Sequence, residues 1–257
     1  MKGFDDKILS LISYPFGRIE YSVGKSGNSL NKIVFLNKQA KKVFFILSHW
    51  MAGTALYNPL INKLKDNYTV IICKLPDYIL SDNVFDTIKY FKKIKKYIIN
   101  ATDKLEKRGY ENFFIMGLSL SCIPCLMVAN SDARFKKIII NLVGSDFSEC
   151  LWHTNSYLAK NIKNKIAKKC IDLITLKEYW EDIHPINNID NLKDRELFIL
   201  LSRNDQIIKY EYGLKLLKAL ESKNIKYKIE TNNIFGHFLS IWKLLLFPDK
   251  IVKFLEA

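Results

Sequence analysis

The sequence has no long apolar run. No stretch of about 18 or more consecutive apolar residues occurs, whereas a helix that crosses a bilayer needs about 20. The first residues, MKGFDDKILSLISYPFGRIEY, contain a short apolar patch, but two aspartates precede it and no small-residue cleavage site follows it. We therefore expect no membrane span and no signal peptide, and we expect the protein to be cytoplasmic.

Cysteine and histidine are scarce. The five cysteines are odd in number, widely scattered and mostly in apolar stretches, which favours reduced thiols over a disulfide framework. Cys122 and Cys125 have the spacing of a redox CxxC motif. Such a motif begins its helix directly after a strand, whereas here the residues GLSLS lie between the strand and the helix, so we interpret the two cysteines as buried helix thiols. The four histidines lack nearby carboxylates or thiolates at ligand spacing, so we expect no metal site.

Acidic residues are outnumbered. The chain has 26 Asp and Glu against 40 Lys and Arg, a formal net charge of +14. The lysines are spread along the whole chain and no recognised nucleic-acid motif accompanies them, so we expect no nucleic-acid partner. The charge instead suits an anionic substrate or an acidic carrier protein.

Short apolar runs alternate with amphipathic runs along the chain. The apolar runs KKVFFILSH, YTVIICKLP, NFFIMG, FKKIIINLVG, ELFILLSRND and IKYKIETNN predict strands, and the clearest helical stripe lies between Phe85 and Arg108. This pattern predicts an α/β fold, with a mostly parallel twisted sheet covered by helices on both faces. GRIEYSVG and NKIVFLNK predict an antiparallel hairpin at the sheet edge, and HFLSIWKLLLFPDKIVKFLEA predicts one closing helix.

One segment interrupts this alternation. From Asp146 to about Asp194 there are helical patches but no convincing strand, and connections of this length are often lids or caps. We therefore predict a single domain over 1–257 with a small helical cap inserted at about 146–194. Its aromatic residues could line a pocket or pack the cap onto the core, and these are Trp152, Tyr157, Tyr179 and Trp180. We expect His153 and His184 to be surface or lining residues.

The stretch NFFIMGLSLSCIPC carries the clearest chemical signal. A buried strand runs into Gly117, Ser119 follows two residues later, and a helix begins after it. A GxSxG turn holds its serine on a sharp strand-to-helix corner, although Ser121 stands here at the last glycine position. We therefore predict that Ser119 is a nucleophile.

An activated serine needs a base within hydrogen-bonding reach and an acid that orients the base. His237 follows the last predicted strand, and Asp205 follows the strand before it, so both are expected at the carboxyl edge of a parallel sheet, near Ser119. The sequence therefore predicts a catalytic triad of Ser119, Asp205 and His237.

With GLSLS, SRNDQII and FGHF in these strand contexts, the chain from about Lys41 to its end resembles the α/β-hydrolase family. The resemblance implies an oxyanion hole made by the backbone amide of Leu120 and by one from the SHWMAG loop, donated by Trp50 or Met51. It also offers Asp146 as an alternative acid, because some relatives place the acid one strand earlier. No cofactor is implied.

These expectations lead to a serine hydrolase of carboxylesterase or thioesterase type, acting on a small-molecule ester or thioester through an acyl-enzyme. One alternative is a thioesterase or acyltransferase that acts on coenzyme A or on an acidic acyl carrier protein. The other is a hydrolase fold that binds ligands without catalysis.

Overall fold

The described part of the chain contains one eight-stranded sheet. The computed structural model describes residues 18–21, 32–35, 37, 39–48, 54–76 and 78–257. The strands are β1 (Arg18–Tyr21), β2 (Lys32–Phe35), β3 (Lys42–Leu47), β4 (Tyr68–Cys73), β5 (Asn112–Leu118), β6 (Phe135–Asn141), β7 (Glu196–Ser202) and β8 (Tyr227–Asn232). They are arranged in the order β1-β2-β4-β3-β5-β6-β7-β8.

Six of the strands are parallel. Each neighbouring pair among β3 to β8 runs in the same direction, whereas β2 is antiparallel to both β1 and β4. The predicted mostly parallel sheet and its antiparallel edge pair are therefore confirmed. Because β5, β7 and β8 are parallel, the residues that follow them emerge at the same edge of the sheet.

Each face of the sheet carries its own apolar core. Along β3, Phe45 packs into one cluster of buried residues while Phe44 and Ile46 pack into the other, as the period of two in a strand requires. Both faces are covered by helices, and this is why the central strands are apolar at nearly every position.

Nine α-helices are described. They are α1 (Asn58–Leu64), α2 (Val84–Glu106), α3 (Cys122–Ser131), α4 (Phe147–Trp152), α5 (Tyr157–Lys168), α6 (Leu173–Tyr179), α7 (Tyr210–Ser222), α8 (His237–Leu246) and α9 (Asp249–Glu256). Helices α2, α3 and α7 contribute to one core, and α1, α8 and α9 contribute to the other. Within the described ranges, no helix is long and apolar enough to cross a membrane.

The closing helix is two helices, so the prediction of one was wrong. Helix α8 ends at Leu246 and α9 begins at Asp249, with Phe247 and Pro248 between them. Proline has no amide hydrogen to donate and disfavours helical backbone at the residue before it, so Pro248 separates the two helices.

Only helices and turns lie between β6 and β7. This segment contains α4, α5, α6 and two short 3-10 turns, Glu181–Ile183 and Pro185–Asn187. The Trp180 side chain fixes it to the rest of the fold. Its ring stacks on Phe147 with ring centroids 4.5 Å apart, and its Nε1 donates a hydrogen bond of 2.9 Å to the carbonyl oxygen of Val84.

Candidate active site

Ser119 lies on a strained corner at the carboxyl end of β5. Its φ of +56° is in the left-handed region, which costs a residue other than glycine on the order of 1–3 kcal/mol. A 3-10 turn, Ser119–Ser121, follows directly and leads into α3. The backbone therefore changes direction sharply at Ser119, as the predicted turn requires.

Gly117 allows the start of α3 to approach β5 closely. A Cβ at this position would lie 2.7 Å from the carbonyl oxygen of Ser121 and 2.8 Å from the Cα of Cys122. Real Cβ atoms do not come this close to backbone atoms, so glycine is required here.

Ser121, at the last glycine position of the motif, is fully buried. Its Oγ accepts a hydrogen bond of 2.6 Å from the amide of Leu118 and lies 2.9 Å from the carbonyl oxygen of Leu47. The hydroxyl therefore links the ends of β3 and β5 beneath the corner.

His237 bridges Ser119 and Asp205. Its Nε2 is 2.8 Å from the Oγ of Ser119, and its Nδ1 is 2.7 Å from the Oδ2 of Asp205. The side chains of His237 and Asp205 are both buried. The fold therefore brings the three predicted side chains into one hydrogen-bonded chain, although 118 residues separate Ser119 from His237.

The hydrogen bonds of Asp205 indicate the direction of proton donation. Its Oδ1 accepts from the amides of Ile207 and Ile208 at 2.8 and 2.9 Å. The oxygens of a carboxylate accept hydrogen bonds and have none to donate. Nδ1 of His237 therefore donates to Asp205, and this leaves Nε2 to accept the proton of Ser119.

Polar contacts hold the loop that carries His237. The Asn232 side-chain oxygen accepts from the amides of Ile234 and Phe235 at 2.9 and 3.2 Å. Its Nδ2 donates to the Oγ of Ser240 in α8 at 2.8 Å, and the hydroxyl of Ser202 donates to the carbonyl oxygen of Phe235. His237 is thus positioned by the ends of β7 and β8 together.

Asp146, the alternative acid, lies elsewhere. Its side chain caps α4, accepting from the amide of Glu149 at 2.9 Å, and it is 3.5 Å from Nζ of Lys177. The structure therefore pairs His237 with Asp205 and gives Asp146 a capping position.

His184 is buried, so our expectation of a surface or lining position was wrong. Its Nδ1 accepts from the amide of Phe147 at 3.1 Å, and its Nε2 is 3.2 Å from the carbonyl oxygen of Lys177. Burial lowers the pKa of His184 from its ordinary value, against the opposing effect of nearby Asp146. It is therefore a neutral structural histidine between α4 and α6.

Part of the predicted oxyanion hole is described. Leu120 lies directly after Ser119 and lines the cavity beside it. Trp50 and Met51 lie outside the described residues, as does His49 in the same loop.

An apolar cavity of about 570 Å³ opens above Ser119 and His237. Its inner wall comes from the 3-10 turn after β5, from α3 and from the segment between β6 and β7, and includes the buried residues Leu120, Ile123, Val143, Phe147 and Leu151. Its outer rim includes the exposed residues Leu158, Phe238 and Trp242. None of its described lining residues is a lysine, arginine, aspartate or glutamate.

The thiols near the site are buried and neutral. Burial raises the pKa of Cys122 to about 12 and the pKa of both Cys125 and Cys150 well above the usual range. Cys150 lines the cavity, but a protonated thiol is a poor nucleophile, so Cys150 does not compete with Ser119 as the nucleophile. All five cysteines are free, and the described residues contain no group of side chains that could hold a metal ion.

The four aromatic residues considered for the pocket do not line it. Trp180 is buried in the core, whereas Tyr157 and Tyr179 are exposed. The aromatic lining comes instead from Phe147, Phe238 and Trp242. The sequence did contain a signal for the last two, because seven of the ten residues of α8 are apolar, more than one buried face needs.

No family model matches the sequence, and no curated protein matches it. Solved structures do match. The acylaminoacyl peptidase from Pyrococcus horikoshii is 14% identical with a TM-score of 0.63, and the match covers 97% of this chain but 44% of the peptidase. An esterase from Pyrococcus furiosus is 13% identical with a TM-score of 0.65, covering 95% of this chain and 92% of the esterase.

A lipase-esterase related protein from Clostridium acetobutylicum ATCC 824 is 15% identical with a TM-score of 0.56, covering 88% of this chain and 98% of that protein. The chain therefore spans less than half the length of the peptidase, but nearly the whole of the other two proteins. At this identity the likeness concerns the fold. The chain has the α/β-hydrolase fold, as the resemblance of its motifs implied.

Proposed function

We propose that this protein is a serine hydrolase that cleaves a carboxylic ester or thioester through an acyl-enzyme on Ser119. The observation that carries the proposal is the hydrogen-bonded chain from Ser119 through His237 to Asp205, with distances of 2.8 and 2.7 Å. A hydroxyl, an imidazole and a buried carboxylate in this order are the parts that acyl transfer needs. A protein that only binds ligands would have no use for them.

In the first half of the reaction, the Ser119 oxygen attacks the substrate carbonyl while His237 Nε2 takes the hydroxyl proton. Asp205 stabilises the imidazolium that forms. The negative charge on the carbonyl oxygen is stabilised by the amide of Leu120 and by a second amide, which we assign to Trp50 or Met51. Collapse of the tetrahedral intermediate breaks the bond to the alcohol or thiol, which leaves with the proton from His237.

In the second half, His237 removes a proton from water, and the resulting attack on the acyl-enzyme releases the carboxylic acid and restores Ser119. These steps require no cofactor. The left-handed backbone at Ser119 supports the proposal, because it holds the hydroxyl above the sheet at the start of α3, where backbone amides favour developing negative charge.

The cavity favours an apolar acyl group. Its inner wall is apolar and carries no charged side chain among the described residues, so a peptide terminus or a phosphate would find no partner there. We propose that residues 146–194 act as the cap that closes this wall. The thioester alternative uses the same triad. No contact of the described site favours an acidic carrier protein over a small ester.

We also retain a cytoplasmic location as part of the proposal. It is supported by the free thiols, because oxidising compartments favour disulfides.

The test compares wild-type protein with Ser119→Ala and with Ser156→Ala, a matched control at another serine that lines the cavity. We expect wild type and Ser156→Ala to hydrolyse p-nitrophenyl butyrate and to be labelled by a fluorophosphonate probe. Ser119→Ala should lose both reactions, with turnover reduced at least about 10³-fold. Labelling that persists in Ser119→Ala would refute the assignment. Butyryl-CoA assayed in parallel separates thioester from ester preference.

A further inference from the structure

The outer face of α8 is apolar where a surface helix is normally polar. The inner side of the helix packs on the core through Ile241, Leu244 and Leu245. The outer face consists of Lys243 and five apolar residues, which are Phe238 (53% exposed), Leu239 (53%), Trp242 (51%), Leu246 (46%) and, directly after the helix, Phe247 (69%). A surface helix normally presents polar side chains to solvent, so five exposed apolar side chains on one face make this face a candidate contact surface.

The size of this surface also points to an interaction. Each of its three aromatic side chains has roughly 150–250 Å² of surface and exposes half of it or more. Together with the two leucines they expose several hundred Å² of contiguous apolar surface. That is the range in which a patch on a protein marks an interaction site.

The outer face of α8 continues into the mouth of the cavity. Phe238 and Trp242 belong to both, and Phe238 follows His237 directly in the sequence. The first turn of α5 contributes Leu158 to the same lining, and the neighbouring Tyr157 is also exposed. Anything that covers the outer face therefore meets the entrance to Ser119.

The two stretches of sequence that carry Leu158, Phe238 and Trp242 are basic. From residue 231 to residue 248 the chain has no Asp or Glu, and the one charged side chain is Lys243. From residue 150 to residue 171 there is again no acidic residue, and five lysines follow Leu158, namely Lys160, Lys163, Lys165, Lys168 and Lys169, the last of which is paired with Asp82. Apolar and aromatic side chains flanked by lysines are the composition of a surface that binds anionic lipid.

We propose that the outer face of α8 docks on an anionic lipid surface and that the substrate is an acyl ester supplied by that surface. The aromatic and leucine side chains enter the boundary between headgroups and acyl chains, and the lysines of α5 lie against the anionic headgroups. A lipid acyl ester can then pass into the apolar cavity without crossing water. The docking requires no catalysis, whereas the choice of substrate rests on the function proposed above.

Two other occupants fit less well. A second copy of this chain would bring another net charge of +14 to the interface, and the mutual repulsion of the two opposes association. An acidic protein would meet one lysine among the apolar side chains of the outer face, so most of that face would gain nothing from its charge.

The test is cosedimentation of the full chain with vesicles, in a Ser119→Ala background so that the lipid is not consumed. The vesicles are phosphatidylcholine with and without phosphatidylglycerol. The outer-face variant is Leu239→Gln, Leu246→Gln and Phe247→Gln together, which leaves the cavity lining intact. The control variant replaces three other exposed aliphatic residues that do not line the cavity, Ile174→Gln, Leu214→Gln and Ile229→Gln. Thermal unfolding verifies that each protein is folded.

We expect the parent and the control variant to bind vesicles containing phosphatidylglycerol. The outer-face variant should bind at least about tenfold more weakly, because it removes three apolar side chains from the boundary. No vesicle binding by the parent, equal binding by the outer-face variant, or equal binding to pure phosphatidylcholine would overturn the proposal. So would a parent dimer that the outer-face variant converts to a monomer without any vesicle binding.

The outcome is separable from that of the proposed function. Vesicle binding without any ester hydrolysis by wild type would support docking and refute the hydrolase proposal. Hydrolysis of dissolved esters without vesicle binding would support the hydrolase proposal and refute docking.

Discussion

The hydroxyl of Ser121 lies 2.9 Å from the carbonyl oxygen of Leu47, the last residue of β3, and accepts the amide of Leu118, the last residue of β5. Serine at the last position of the turn motif therefore connects two strands where glycine could not. The position of Ser119 depends on this link, because the left-handed corner lies directly above it.

Replacing Ser121 by Ala should therefore destabilise the protein. The change leaves buried backbone groups of Leu47 and Leu118 without this partner, so the free energy of unfolding should fall by about 1–3 kcal/mol. Urea denaturation measures the loss, and Ser222→Ala, which removes an exposed hydroxyl on α7, is the control. If the two variants unfold at the same urea concentration, the link does not stabilise the corner.

Asp205 and Asp146 can be distinguished as acids by matched substitutions. Asp205→Asn should lower kcat by about 10³–10⁴-fold, because the amide cannot stabilise the imidazolium and favours the wrong tautomer of His237. Asp146→Asn should leave kcat nearly unchanged, since asparagine also caps helices well. Steady-state hydrolysis of p-nitrophenyl butyrate measures both. A large loss in Asp146→Asn alone would contradict the assignment of Asp205.

The burial of His184 predicts a loss of stability in acid. Its folded-state pKa is lowered from 6.5, so below about pH 6.5 the unfolded state binds more protons than the folded state. The free energy of unfolding should therefore decrease as the pH falls from about 7.5 to about 5.5. The charged groups around the ring are Asp146, Lys177 and Glu181.

Thermal unfolding across this pH range tests the origin of that loss. His184→Asn keeps an acceptor for the amide of Phe147 but cannot be protonated, so its melting temperature should depend less on pH than that of wild type. His153→Asn, at an exposed position, should keep the wild-type dependence. An unchanged dependence in His184→Asn would assign the acid sensitivity to other groups.

We expect that the side chain of Asn141 can be removed without loss of stability. It is fully buried at the end of β6, and neither its nitrogen nor its oxygen has a hydrogen-bond partner among the described residues. Asn141→Leu should therefore be neutral, or stabilise by up to about 1–2 kcal/mol, because it removes a burial cost that nothing offsets.

Asn188→Leu is the contrast to that variant, measured by the same urea denaturation. Its side-chain nitrogen lies within hydrogen-bonding distance of the carbonyl oxygens of Asp182 and His184, at 3.0 and 2.9 Å. Its loss should cost about 1–3 kcal/mol. Greater destabilisation by Asn141→Leu than by Asn188→Leu would show that the amide of Asn141 has a structural role.

The sequence predicts the sheet well because its strands are locally encoded. Runs such as YTVIIC and KVFFIL are apolar at nearly every position, as parallel strands with two covered faces must be. The order of Ser119, Asp205 and His237 after three such strands was enough to expect them at one edge. The structure brings them into hydrogen-bonding distance, while their catalytic roles stay predictions.

The sequence predicted contacts between distant residues poorly. The stacking of Phe147 on Trp180 and the burial of His184 depend on how α4 and α6 meet, which helical periodicity does not specify. The cavity lining depends in the same way on where α5 and α8 lie in the fold, which periodicity does not specify either. The break at Pro248 was local, but the apolar residues on both sides of it resembled one continuous helix.

The hydrogen bond from the indole of Trp180 to the carbonyl oxygen of Val84 holds one side of the cavity more firmly than the other. The side built on α4 is fastened to α2, so a larger side chain there would have to displace the core. The hydrogen bond of Trp180 does not involve the first turn of α5, where Leu158 is exposed. With the function proposed above, substitutions at the first turn of α5 would change the preferred length of the acyl chain and leave the core intact.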